Sequence, residues 1–106
     1  MPSGLQDRVA IITGVNNMEG IGAATAFALA RDGVRLALAY KRMDSPADPA
    51  KTGQPGMDRY NAANAGDASR VAEKLRGIGA DFMLLEMDIT REENIALLFE
   101  QALMRF

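Results

Sequence analysis

The apolar positions of this chain fall into short blocks of two kinds. The first kind is a run of apolar, often β-branched residues without alternation. Val9-Ala10-Ile11-Ile12 is the first, with charge before it and Thr13-Gly14 after it. Leu36-Ala37-Leu38-Ala39-Tyr40 and Phe82-Met83-Leu84-Leu85-Glu86-Met87 are the others. Runs of this length and character predict strands covered on both faces of a parallel sheet. The second kind recurs at helical spacing. Ile21, Ala24, Thr25, Ala28 and Leu29 predict a helix from about Gly20 to Asp32, with Gly33 as its stop. Val71, Leu75 and Ile78 line one face of a helix that starts near Asp67 and ends at Gly77 and Gly79. Ile95, Leu98, Phe99, Ala102 and Leu103 line one face of a last helix. Ahead of it, Thr90-Arg91-Glu92-Glu93 matches a capping box, with the Thr90 hydroxyl as cap.

Between the second strand and the next helix the pattern lapses. Residues 43–66 carry Pro46, Pro49 and Pro55 with Gly53, Gly56 and several Asp and Asn, and predict a long irregular loop. It reads as a surface insertion or as a lid, with Tyr60 as the one aromatic able to pin it. The element order is β-α-β-loop-α-β-α. Strands alternating with helices imply an α/β fold: a three-stranded parallel sheet with helices on both faces.

Composition narrows the chemistry. The chain has 106 residues, 12 basic and 14 acidic, and no Cys or His. This balance offers no basic field for nucleic acid. Disulfides, thiolate catalysis, common zinc sites and His-based triads are excluded within the chain, and no metal site is expected. No segment has the roughly 20 apolar residues needed to span a bilayer, and the first residues lack a signal-peptide core. A cytoplasmic protein with no membrane partner is the expectation.

The turn from Thr13 to Gly22 sits between the first strand and the first helix, where a dinucleotide fold places its phosphates. Glycines admit a tight turn and close backbone approach, and the helix N-terminus offers amides and a positive dipole end. No Lys stands where a Walker A loop requires one, which disfavours a nucleoside triphosphatase. Gly14, Gly20, Ile21 and Gly22 are the candidate phosphate-binding positions. Asn16 and Asn17 either bond the ribose or phosphate or stabilise the turn itself.

On Thr13-Gly14 and Gly20-Ile21-Gly22 the chain resembles the short-chain dehydrogenase/reductases. Their motif is Thr-Gly, three residues, Gly-x-Gly; here five residues separate Gly14 from Gly20. That spacing resembles the enoyl-acyl-carrier-protein reductases, while Gly20-Ile21-Gly22 resembles ordinary members such as the 3-oxoacyl-acyl-carrier-protein reductases. The resemblance runs from Leu5 to Phe106 and implies a Rossmann-type fold with a dinucleotide cofactor. It places Tyr40 where the family's NAD-selecting acid stands, with Lys41 and Arg42 following. The missing acid and the two cations point to NADP(H), with NAD(H) as the alternative if the cations are merely solvated. The family's adenine-contacting acid corresponds to Asp88, with Ile89 beside it. The alternative for Asp88 is a favourable place near the N-terminus of the last helix.

The family's Tyr-x-x-x-Lys is absent: Asp44 stands four residues after Tyr40, and Asn64 four after Tyr60. The Asn-Asn-Ala-Gly segment is absent too, so no catalytic residue is assigned. Residues 1–106 therefore resemble the N-terminal half of one Rossmann domain, with strands in the order 3-2-1. Cofactor binding by this half is expected to be weak. In this arrangement the first strand is an apolar edge that invites pairing with a second copy, unless a family-type oligomer of the whole protein forms. The implied function is the NADP(H)-binding portion of an oxidoreductase. The alternatives are an enoyl-reductase-like portion or a non-catalytic nucleotide-binding module.

Overall fold

A computed structural model of the chain describes residues 4–42 and 48–106. Its elements are β1 (Val9–Thr13), α1 (Ile21–Arg31), β2 (Arg35–Tyr40), α2 (Met57–Ala63), α3 (Ser69–Ile78), β3 (Phe82–Glu86) and α4 (Glu92–Arg105). The three strands form one parallel sheet with β2 in the middle. The expected α/β arrangement is present, with β1 at an edge.

Residues of successive parity point to opposite faces of a sheet, so the register decides which side chains meet. Ala10, Leu36 and Phe82 lie side by side, as do Ile12, Leu38 and Leu84. These residues pack toward α1 and α3 in a cluster that holds Val15, Ala23, Ala26, Phe27, Val71 and Leu75. Ile11, Ala37 and Met83 form the row between them and face the other way, where Leu85, Ala102 and Phe106 join them. Helices therefore cover both faces. Lys74 of α3 places its ammonium 4.3 Å from the Phe27 ring centre, reinforcing the α1–α3 contact.

Three local expectations change. The buried face of α1 is Ala23, Ala26 and Phe27, whereas Ile21 is 88% exposed and Ala24, Thr25 and Ala28 are also exposed. Alanine occurs all round this helix, so no stripe in its sequence marks the core side. On α4, Leu98 and Ala102 are buried, but Ile95, Phe99 and Leu103 are exposed. The capping box does not form. Arg91 is the N-cap of α4 and no side chain caps it. Thr90 instead stands one residue ahead of the cap position, and its hydroxyl donates to Asp88 Oδ1 at 2.6 Å.

The segment expected to be irregular contains structure where it is described. A 3-10 turn spans Pro49–Lys51, capped by the Asp48 side chain, and Asp58 of α2 accepts from the Asp48 amide at 2.9 Å. Residues 43–47, and the Tyr60 side chain expected to pin the loop, lie outside the described residues. No described helix is long and apolar enough to cross a membrane.

Candidate functional site

The site lies at the C-terminal ends of the three strands, the end at which open α/β sheets bind ligands. The strand ladder continues one step past β1, where the Gly14 amide donates to the Ala39 carbonyl at 2.9 Å. Gly14 then takes φ +74°, a left-handed conformation costly for any residue with a Cβ. The chain passes inward through Val15, which is fully buried, and turns back at Asn17, whose carbonyl accepts from the Gly20 amide at 2.9 Å. Helix α1 opens directly on Gly20 with no side-chain cap. A Cβ on Gly22 would stand 2.6 Å from the Gly14 carbonyl oxygen, so only glycine lets α1 press this closely on the end of β1. The widened turn thus brings together a tight backbone and a helix N-terminus without a side-chain cap, two features on which an anion can be bound.

The two asparagines separate into distinct tasks. Asn16 is buried, and its amide donates to the carbonyls of Asn64 and Gly66, both at 2.9 Å. It fastens the segment after α2 onto the glycine turn. Asn17 accepts from the Glu19 amide at 3.0 Å and shapes the turn locally. Both bond the protein's own backbone.

A cavity of about 490 Å³ opens between the turn and the tips of β2 and β3. Gly14, Asn16, Tyr40, Lys41, Asp88 and Ile89 line it, together with Thr13, Ala39, Asn64, Met87 and Thr90. Its size is that of a small-ligand pocket, and its wall combines glycine backbone, a cation and a carboxylate, a set that suits the adenosine end of a dinucleotide. Gly20, Ile21, Gly22 and Arg42 do not line it, and Asn17 lines a neighbouring cavity with Met18 and Arg70.

Asp88 is the most engaged of the polar groups. Its Oδ1 accepts from the Thr90 amide at 2.9 Å and from the Thr90 hydroxyl, and its Oδ2 lies 3.9 Å from Lys41 Nζ. Those bonds from Thr90 hold its carboxyl below the usual Asp range, with Lys41 adding to the effect. Asp67 repeats the device ahead of α3: Ser69 donates to it through amide and hydroxyl and lowers its pKa likewise.

The residue that sequence reasoning missed is Glu86. It pairs in register with Tyr40 and accepts from Arg42 through Oε1 at 2.8 Å and Oε2 at 3.2 Å. The Tyr40 hydroxyl donates to Oε2 at 3.5 Å. Partial burial and the Glu86 charge raise the Tyr40 pKa, and the Glu86 bonds make the Arg42 guanidinium still harder to deprotonate. The sequence shows a charged residue near the end of an apolar strand, and only the register brings it to the basic tip of β2.

The chain is similar to a short-chain dehydrogenase. Over 106 residues it is 29% identical to the protein named short chain dehydrogenase claC from Passalora fulva. The match takes in 100% of this chain and 31% of that protein, so the chain spans about a third of its relative's length. No family model matches the chain.

Proposed function

We propose that this chain is the dinucleotide-binding portion of an NADP(H)-dependent short-chain oxidoreductase, whose reaction moves hydride between nicotinamide and a carbonyl or alcohol. The observation that carries the reading is the seam between Gly14 and Gly22, which opens a helix at the strand ends beside a cavity of about 490 Å³. In this reading the backbone around Gly14 and the first-turn amides of Ile21 and Gly22 bind the pyrophosphate, with Gly20 allowing its close approach. Asp88 accepts from the adenine amino group, and Ile89 lines the base. Lys41 and Arg42 face the adenosine ribose, and the absence of an acid at Tyr40 favours the 2′-phosphate of NADP(H) over the plain ribose of NAD(H).

Hydride transfer needs a proton donor that these residues do not supply, since neither Tyr40 nor Tyr60 has a Lys four positions on. The chemistry is assigned to the remainder of a longer protein, as the partial match to the dehydrogenase supports. Half of the nicotinamide crevice belongs to that remainder, so affinity in this chain is weak. Titration of the labelled chain with NADPH tests the proposal by amide chemical shifts. Weak, saturating shifts at Gly14, Gly20, Gly22, Lys41 and Asp88 are expected. Shifts elsewhere, or none at millimolar nucleotide, would refute it.

A further inference from the structure

Cofactor choice in a dinucleotide fold is read at the tip of the second strand. In this chain the neighbouring strand brings a carboxylate to the same height, because the parallel register sets Glu86 of β3 beside Tyr40 of β2. Glu86 takes the Nε and Nη2 edge of Arg42 with both of its oxygens, at 2.8 and 3.2 Å. A 2′-phosphate that engages a guanidinium through two parallel bonds must then use the remaining edge, beside a like charge, or displace the carboxylate. Lys41 is balanced as well, with Asp88 at 3.9 Å. Two cations meet two carboxylates at the strand tips, and Asp67 ahead of α3 adds its negative charge near Arg42.

We infer that Glu86 is a specificity-determining residue: by occupying Arg42 it suppresses the preference for a 2′-phosphate and keeps the site open to a plain 2′-hydroxyl. The inference rests on the dinucleotide reading above and adds to it the residue that sets how strongly NADP(H) is preferred. Both side chains of the pair are about half exposed, 53% for Arg42 and 41% for Glu86, so a substitution here spares the core.

The test uses 2′,5′-ADP and 5′-AMP, which present the adenosine end with and without the 2′-phosphate and need no nicotinamide crevice. Each is titrated into the full chain and into its Glu86→Gln and Glu86→Asp variants, and affinity is read from amide shifts. Glu86→Gln is expected to raise the preference for 2′,5′-ADP over 5′-AMP about fivefold, the scale of one exposed ion pair. The affinity for 5′-AMP itself should stay unchanged, and the gain should shrink as salt is added. Glu86→Asp retains the charge and should retain the original preference. If 5′-AMP binds and Glu86→Gln leaves the preference unaltered, the inference is overturned while the nucleotide site stands. If neither nucleotide binds any of the three proteins, both fall.

Discussion

Leu36 and Leu38 of β2 point toward α1 and α3 and are fully buried, while Ala37 between them points toward α4. The two faces differ in how they are closed. On the first, two helices and the strands share one cluster of nine buried residues, from Val15 to Leu75, so each side chain is enclosed by several elements. On the second, α4 alone among the described elements covers the sheet, and three of the described residues make up the buried cluster. Phe99, Leu103 and Met104 remain 53%, 79% and 76% exposed, and an apolar groove lined by Val9, Ile11 and Phe106 runs between β1 and α4. The glycine turn of the candidate site belongs to the closed face, since α1 and the segment fastened by Asn16 both lie on that side. Asp88, Ile89 and Thr90 belong to the turn into α4, where Asn94 donates to the Asp88 carbonyl at 2.8 Å.

That contrast can be broken most forcefully at Leu38, which has no exposed surface. Leu38→Ala should cost about 3 kcal/mol, a large share of the stability of so small a domain, as read by urea denaturation. Gly22→Ala comes next. Its methyl must displace the Gly14 carbonyl, and a loss of about 2 kcal/mol is expected, with amide shifts concentrated between Thr13 and Ala26. Asn16→Ala removes the donor to Asn64 and Gly66 and should cost about 1 kcal/mol. Hydrogen exchange should speed up around residues 64–66 and leave the β2 core unaffected. At the small end, Leu103→Ser on the second face should change stability by less than about 0.5 kcal/mol. A large loss there in thermal melts would show that the face is covered by something in solution and would erase the contrast.

Much of the frame was legible from local pattern. Strands were found where apolar runs were short and uninterrupted, and helix ends where Gly33 and Gly79 stand, both at positive φ. The glycine turn was legible because glycine is the residue type that admits the left-handed conformation and close backbone approach such a turn requires. The docking face of α1 was not legible, since alanines on every side leave the helix without a stripe, and the seam at Gly22 selects the face. The Thr90 cap does not form because α4 starts one residue later, with Arg91 as its N-cap, and the folded turn brings the Thr90 hydroxyl to Asp88. Asn16 and its partners are 48 and 50 positions apart, and Arg42 and Glu86 are 44 apart, separations at which no local pattern operates.

The sequence by itself determined the kind and order of the elements, the place of the turn, and the residue types at the strand tips, because these follow from side-chain period, backbone freedom and charge. Tertiary structure decided which side chains share a face and which charges share a partner. The physical reason is register: pairing β2 with β3 sets Glu86 beside Tyr40 and against Arg42, giving a guanidinium that reads alone as an unpaired cation a carboxylate partner.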